Sequence, residues 1–320
     1  MTPDTHLIKL PHSLIASFNE FRRKFIRKRN LKNISLKLYR CFLTPKKYNS
    51  KRYTYLGNIK IKTRRSSFRM KATEGYLENE IFWKGVYKSL EPETVWIIEK
   101  LSLNADCIID IGANTGLYSL FVKAINPGCN IHSFEPSKKT YNELKENILL
   151  NSFNIEVNNI AISDKNGIST FYDTFEDHQY SASLSPMMLK ENPSYTFKID
   201  EYQVEVITLD SYVAMRDIKI IDLIKIDVEL YEPEVFNGML NTLSKLRPFL
   251  LFEVLTDHIG DKLSLCLTGL EYEMFHFEKK GNNYHLIKVL NLRGRTDYDW
   301  NYFACHKDRI VELKHLNLLK

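Results

Sequence analysis

Several features of membrane, secreted and zinc-binding proteins are missing from this sequence of 320 residues. Its five cysteines are scattered and form no CxxC pair, which argues against a disulfide framework or a zinc site and favours buried free thiols. No uninterrupted apolar run approaches the roughly 20 residues of a membrane span, and the first residues lack the basic-then-apolar order of a secretory signal. We therefore expect a cytoplasmic protein. The 44% of hydrophobic residues are enough for a large buried core, which excludes disorder throughout.

Charge is distributed unevenly along the chain. The net charge of +6 conceals a basic segment, residues 1–71, in which 20 Lys and Arg face only Asp4 and Glu20. Between residues 18 and 29, basic and aromatic side chains interleave, a pattern typical of a helix with one apolar stripe. Such a helix can bind an anionic polymer or the inner membrane face, or it can cover the main domain, and both alternatives stay open. We expect no nucleic-acid partner, because no recognition module accompanies the charge.

Short apolar runs that alternate with helical stretches dominate the chain from Cys107 onward. This alternation predicts an α/β fold, with a parallel sheet and helices on both of its faces. The predicted strands are 107–112, 130–135, 155–162, 222–228 and 248–254, and the predicted helices lie near 116–126, 137–150 and 231–245.

Other segments predict additions to this sheet. The Gly57-Asn58 pair predicts the turn of a hairpin over 53–62, and residues 80–103 have a helical pattern. A β-rich insertion with a polar loop at 173–186 is expected within 168–212, and three late strands are expected to close the sheet: 272–278, 284–290 and 301–306. We divide the chain into a basic amphipathic extension (1–50), a hairpin and helical lead-in (51–103) and a main domain (104–310).

The turn after the first predicted strand has the form of a nucleotide-binding site. The strand leads directly into Gly112 and Gly116, and a helix follows, so that the backbone can approach a ligand closely and the amides of the helix start can face it. The next strand ends at Glu135, about 20 residues further on, where an acidic side chain can accept both ribose hydroxyls.

The residues of the turn discriminate between two cofactors. The usual GxGxxG of dinucleotide sites is absent and DxGxNxG is present, which weakens the case for a pyrophosphate. S-adenosylmethionine (SAM) has no phosphate but carries an ammonium and a sulfonium, which suits Asp110 at the strand end. An NAD(P)-dependent oxidoreductase is less favoured, since no Tyr-x-x-x-Lys pair is recognisable. A non-catalytic binding protein on the same fold is the third alternative.

An ordered set of motifs resembles the FkbM family of SAM-dependent methyltransferases. The resemblance implies a Rossmann-like class I methyltransferase fold, with a seven-stranded sheet of order 3-2-1-4-5-7-6 and its last strand antiparallel. It also implies O-methylation, commonly of a hydroxyl on a sugar or a secondary metabolite, so that a small molecule or a glycan is the expected acceptor. The matching segments are 91–93, 110–116, 134–136, 147–151, 161–167, 208–212, 225–229 and 247–253.

Site residues follow from the same resemblance. The methionine part of SAM would lie against the turn, the ribose against Glu135, and the adenine beside Ala161. The residues assigned to the cofactor are Glu91, Asp110, Gly112, Asn114, Gly116, Glu135 and Ala161.

Carboxyl groups at neighbouring strand ends are the catalytic candidates. Asp227 comes first, because sheets of this type place substrate chemistry at the end of this strand. Glu229 and Glu253 could also accept or orient the hydroxyl proton, and His178, in the insertion loop, is a weaker candidate. We assign no metal, although the carboxylates could instead bind Mg²⁺. Leu230 stands where the family pattern has glycine, and it would be strained if this position needs a positive φ.

Overall fold

The structure is a computed structural model of the protein. It describes Leu36 and residues 54–73, 75–89, 91–174, 182–185, 199–281, 283–294 and 300–320. The basic and aromatic stretch at 18–29 and His178 lie outside the described residues, so both assignments stay predictions. Within the described ranges, no helix has the length and apolar character needed to cross a membrane.

Strands and α-helices alternate along most of the described chain. The strands are β1 (Gly57–Lys62), β2 (Ser67–Ala72), β3 (Cys107–Ile111), β4 (Asn130–Phe134), β5 (Glu156–Asn158), β6 (Ala161–Ile162), β7 (Gly167–Thr174), β8 (Ile199–Ile207), β9 (Leu223–Ile226), β10 (Phe249–Glu253), β11 (Tyr272–Lys280), β12 (Asn283–Val289) and β13 (Asn301–His306). The helices are α1 (Tyr76–Lys84), α2 (Pro92–Ser102), α3 (Leu117–Ile125), α4 (Lys138–Asn151), α5 (Leu209–Met215), α6 (Glu232–Asn237), α7 (Leu240–Leu246), α8 (Asp257–Leu267) and α9 (Ile310–His315).

The main sheet has eight strands in the order β12-β11-β13-β10-β9-β3-β4-β5. Five neighbouring strands of this sheet are mutually parallel: β10, β9, β3, β4 and β5. β13 pairs antiparallel with both β10 and β11. The expectation of seven strands is wrong. β11 and β12 form a hairpin, and β12 pairs with β11 over residues 283–289, which extends the edge of the sheet by one strand.

Both faces of this sheet are covered by helices, as the sequence predicts. Successive side chains of a strand point to opposite faces, and along β3 Ile108 packs with residues of α2, α3 and α4, whereas Ile109 and Ile111 pack with residues of α5, α6 and α8. All five residues of β3 are buried, as expected for a central strand with a core on each side.

The lead-in hairpin turns at a different place from the predicted one. Gly57 and Asn58 lie inside β1, and the turn is formed by 63–66, where the Thr63 hydroxyl accepts the backbone N–H of Ser66 at 2.7 Å. The reason is burial, since Ile59 and Ile61 point into the core on alternate positions, so β1 continues through the Gly-Asn pair. The predicted helical stretch 80–103 is interrupted around Gly85 (φ +79°), which separates α1 from α2.

The insertion forms a second sheet of three strands, β6-β8-β7. β7 and β8 pair antiparallel, which confirms the predicted β-rich character. The predicted single strand 155–162 is divided between β5, in the main sheet, and β6, in the second sheet. Asn159 lies at this break, and its side-chain amide donates to the backbone carbonyls of Glu135 and Pro136, which directs the chain from one sheet to the other.

Candidate functional site

The glycines of the loop after β3 are required by its geometry. Gly112 has φ +74°, and a Cβ atom at this position would overlap the backbone carbonyl oxygen of Asp227. Gly116 has φ +96°, and a Cβ there would overlap the side chain of Leu144 in α4. Glycine alone combines a positive φ with this close approach, so the loop after β3 lies directly against the segment after β9.

The backbone amides of the loop itself are all engaged within the protein, whereas the expectation that the amides of the helix start face a ligand stays a prediction. The N–H groups of Gly112 and Ala113 both donate to the carbonyl of Phe134 at 3.0 Å, and that of Gly116 donates to Ala113. The N–H of Asn114 donates to Glu135, and the N–H of Thr115 donates to the Asn114 side chain. Because every amide from 112 to 116 already has a partner, the loop has no free N–H for an anionic ligand. The carboxylates near the loop suit a cationic ligand instead.

Two side chains that the sequence analysis did not assign hold the loop from outside. The Thr115 hydroxyl donates to the buried carboxyl of Glu78 in α1 at 2.8 Å. The side-chain amide of Asn147 in α4 donates to the Thr115 carbonyl at 2.9 Å, and its oxygen accepts the N–H of Lys71 in β2 at 2.7 Å. The lead-in hairpin and α1 therefore fix the conformation of the loop.

Glu135 lies at the end of β4 with both carboxylate oxygens held by the backbone. Oε2 accepts the N–H of Asn114 and Oε1 accepts the N–H of Ser137, each at 2.9 Å. Burial raises the pKa of Glu135 to about 7. Each carboxylate oxygen can accept more than one hydrogen bond, so the ionised side chain can still receive the two hydroxyls of a ribose.

A cleft opens beside Glu135, and because the roughly 710 Å³ of empty space in and around it includes open solvent, its enclosed part is much smaller. Its lining combines acidic with apolar side chains, a combination common in small-molecule sites. Of the residues assigned to the cofactor, Gly112, Asn114, Glu135 and Ala161 line it. Glu91, Asp110 and Gly116 do not line the cavity. The insertion contributes lining residues that the sequence analysis missed, although its β pattern was visible: Phe171, Ala182, Ser183 and Leu184.

A buried ammonium connects β3 with β9. Nζ of Lys225 is 3.0 Å from Oδ2 of Asp227 and 4.0 Å from Oδ1 of Asp110. Burial alone would lower the pKa of Lys225, but Asp227, Asp110 and Glu91 outweigh burial and raise it. Asp110 is 2% exposed and accepts a hydrogen bond from the Ser119 hydroxyl at 2.5 Å. The structure therefore places Asp110 in the packing between strand and helix, behind the cavity.

Three carboxylates meet at the strand ends beside the cavity. One oxygen each of Asp227, Glu229 and Glu253 lies within 4.8 Å of the other two. Burial, and then the charge of Asp227, raise the pKa of both Glu229 and Glu253 well above the usual value. Glu91 has a raised pKa for the same two causes and accepts a hydrogen bond of 2.6 Å from the Tyr118 hydroxyl. The three catalytic candidates of the described chain are thus neighbours, as the sequence predicts.

The segment that carries Glu229 has an unusual backbone. Glu229 (φ +54°) and Leu230 (φ +69°) are both left-handed, which costs a non-glycine residue about 1–2 kcal/mol. The Ser183 hydroxyl lies 3.0 Å from the carbonyl of Val228 and 2.6 Å from that of Glu229, and it stabilises the turn. The glycine of the family pattern therefore corresponds to a position that does need a positive φ, and Leu230 occupies it with a buried side chain.

An α/β sheet with a glycine turn, a carboxylate about 20 residues further on and a cleft that both of them line is the arrangement of a nucleotide-cofactor-binding protein. A family model, the methyltransferase FkbM domain, matches residues 110–295, which is more than half of the chain. The chain belongs to the FkbM methyltransferase family. Its α/β fold is of the class I methyltransferase type, and its cofactor is SAM.

Individual relatives are distant. The chain is 29% identical over 157 residues to 31-O-demethyl-FK506 methyltransferase FkbM of Streptomyces tacrolimicus, which covers 42% of this chain and 59% of that protein. It is 24% identical over 143 residues to Methyltransferase 1 of Beauveria bassiana, and this match covers 41% of this chain and 57% of that protein. The crystal structure of methyltransferase FkbM from Methylobacillus flagellatus has 15% identity and a TM-score of 0.39, and the match covers 63% of this chain and 44% of that one. The chain thus spans less than two thirds of the length of these relatives.

The left-handed backbone at Leu230 predicts a reversed order of stability for two substitutions. Leu230→Ala creates a cavity and keeps the strain, whereas Leu230→Gly creates a slightly larger cavity and removes the strain. Alanine is ordinarily about 0.5–1 kcal/mol more stabilising than glycine. Here we expect the glycine variant to be the more stable by about 1 kcal/mol, because relief of the left-handed backbone outweighs that difference. Urea unfolding of the two variants measures it, and a more stable alanine variant would contradict the strain.

The raised pKa of Glu135 predicts that cofactor affinity depends on pH. The folded-state pKa of about 7 leaves the free carboxyl mostly protonated at pH 6 and mostly ionised at pH 8. A protonated carboxyl loses acceptor capacity for the ribose hydroxyls. We therefore expect the affinity for S-adenosylhomocysteine (SAH) to fall about tenfold from pH 8 to pH 6.

Calorimetric titration with SAH at the two pH values measures this change. At pH 8 we expect Glu135→Gln to bind SAH more weakly than the wild type does. The affinity of this variant should change little between pH 8 and pH 6, because the glutamine amide does not titrate. An equal pH dependence in both proteins would show that another group is responsible.

Proposed function

We propose that the protein is a SAM-dependent O-methyltransferase that acts on a hydroxyl of a sugar, a polysaccharide or a related polyol. The observation that carries this proposal is the position of Asp227, which lines the cofactor cavity and belongs to the carboxylate group beside it. A methyl acceptor must reach the cofactor at such a boundary. The name of the Streptomyces tacrolimicus relative, 31-O-demethyl-FK506 methyltransferase, supports oxygen as the methylated atom.

The chemical character of the residues around the cleft suits the parts of SAM. Glu135 suits the ribose, and Ala161, Ile162 and Phe171 form an apolar wall that suits adenine. The cationic methionine end suits the acidic side of the cavity, where Asp227 and Glu229 lie. When bound there, SAM supplies an activated methyl group on a sulfonium.

Asp227 is the group that we assign to the acceptor proton. Its Oδ2 is held by Lys225 at 3.0 Å, which fixes the orientation of the carboxylate. Methylation of an alcohol releases the hydroxyl proton, and Asp227 can accept it, while Glu229 and Glu253 lie beside Asp227 and can help to orient the hydroxyl. Much of the acceleration comes from alignment of the hydroxyl with the methyl group in a cleft with little water.

A turnover assay tests the proposal. Purified protein is incubated with SAM and a panel of monosaccharides, oligosaccharides and polyols, and SAH formation is measured together with the mass of the product. We expect a mass increase of one methyl group on a hydroxyl acceptor, and we expect Asp227→Asn to lower kcat by about 100-fold or more, because a general base contributes about 10²–10⁴.

Asp261→Asn is the matched control. Asp261 is an exposed aspartate of α8 that pairs with Arg293, and its substitution should leave turnover unchanged. Wild-type kcat in Asp227→Asn would contradict the role of this carboxylate. Binding of SAH without turnover on any hydroxyl acceptor would instead favour a non-catalytic binding protein on this fold.

A further inference from the structure

The carboxylates beside the cofactor cavity have too few hydrogen-bond donors. Among the described residues, no donor reaches Oε2 of Glu253, although this atom is fully enclosed. Oε2 of Glu232 is also enclosed without a partner, and Glu232 is 0% exposed. Buried polar atoms in native proteins are almost always paired, so two unpaired carboxylate oxygens in one region indicate a ligand that supplies positive charge.

Both of these carboxyl groups lie against the same segment. Oε1 of Glu232 accepts the N–H of Val228 at 3.2 Å, and Val228 stands between Asp227 and Glu229. Glu253 is the third member of the carboxylate group whose oxygens lie within 4.8 Å of one another. The described cation of this region is Lys225, and its closest carboxylate contact is with Asp227. One ammonium thus faces at least four carboxyl groups.

The spacing of these oxygens suits a shared cation. Oxygen ligands lie about 2.0–2.1 Å from Mg²⁺ and about 2.3–2.6 Å from Ca²⁺, so two ligands of one ion can be at most about 4–5 Å apart. The three carboxylate oxygens, within 4.8 Å of one another, satisfy the upper limit, and an ion as small as Mg²⁺ needs these side chains to close by about half an ångström. Asp227 and Glu229 also line the cofactor cavity, whereas Glu253 does not. An ion held by all three would therefore lie at the edge of the cavity, where the proposed acceptor enters.

We propose that Asp227, Glu229 and Glu253 bind one divalent cation, Mg²⁺ or Mn²⁺, at the boundary between the cofactor cavity and the acceptor. All ligands are oxygens, the type that these hard cations prefer. Glu232 accepts the N–H of Val228, which stands between two of the ligands, and so helps to orient their segment. The binding of the ion depends on these carboxylates and does not depend on the proposed function. Its role rests on the proposed function, since a cation there would hold the acceptor hydroxyl and lower its pKa before proton transfer to a carboxylate or to solvent.

Mn²⁺ titration of the full chain tests this site without any turnover. Free Mn²⁺ is measured by electron paramagnetic resonance, and SAH binding is measured on the same samples by calorimetry. We expect one Mn²⁺ per chain, displaced by excess Mg²⁺. In Glu253→Gln the dissociation constant for Mn²⁺ should rise at least about tenfold, since even the loss of residues behind metal ligands costs about 10–100-fold.

Several controls separate the outcomes. Glu278→Gln changes an exposed glutamate that pairs with Lys320, and it should bind Mn²⁺ like the wild type. Glu253→Gln should keep its SAH affinity, because Glu253 does not line the cavity. If Glu253→Gln folds poorly, Glu253→Asp takes its place. The aspartate variant keeps a carboxylate, so its loss of Mn²⁺ affinity should be smaller.

No Mn²⁺ binding, or equal Mn²⁺ affinity in the wild type and Glu253→Gln, overturns the metal site. SAH binding in the same samples then leaves the proposed function standing. Conversely, specific Mn²⁺ binding combined with failure of the methylation assay leaves the metal site standing and overturns the proposed function.

Discussion

The contact between Gly112 and the backbone carbonyl of Asp227 is the constraint on which the site depends. β3 and β9 are adjacent parallel strands, and the two segments that leave their carboxyl ends touch at this point. One of them runs to Glu135 through the Asn114 hydrogen bond, and the other carries the acidic group. Any side chain at position 112 would separate the cofactor side from the acidic side. The distance between the two halves of the site is therefore set by backbone packing.

Charge is the second constraint, and it acts through burial. The same strand ends that form the cavity bury several carboxyl groups, and burial raises the pKa of Glu229, Glu232 and Glu253. Asp227 and Asp110 beside Lys225 outweigh its burial and raise its pKa. A cationic cofactor, protons or a metal ion can balance the remaining carboxylates. This surplus explains why an enclosed, acidic wall is compatible with a ligand that carries a sulfonium, and it is a poor environment for a pyrophosphate.

The sequence was sufficient for the features that depend on local pattern. Apolar runs located the central strands, the glycine turn located the loop, and Glu135 was found from its spacing. Long-range pairing was not predictable in this way. The contact of Glu78 with Thr115 spans 37 residues and has no local signal. The hairpin turn was misplaced because Gly57-Asn58 is a common turn pair, whereas alternating burial along β1 decides the register. Asp110 does not line the cavity, because side-chain alternation along β3 directs it to Lys225 and Ser119, and its assignment to the cofactor stays a prediction.

Calorimetric titration of the wild-type protein with SAM and, separately, with NADH tests the central claim most directly, because the two cofactors place opposite charge beside the same turn. We predict saturable binding of one SAM per chain and no binding of NADH. It also predicts that Gly112→Val abolishes SAM binding, since a side chain there would displace Asp227. Binding of NADH, or SAM binding that survives in Gly112→Val, would contradict the assignment of this loop as the SAM site.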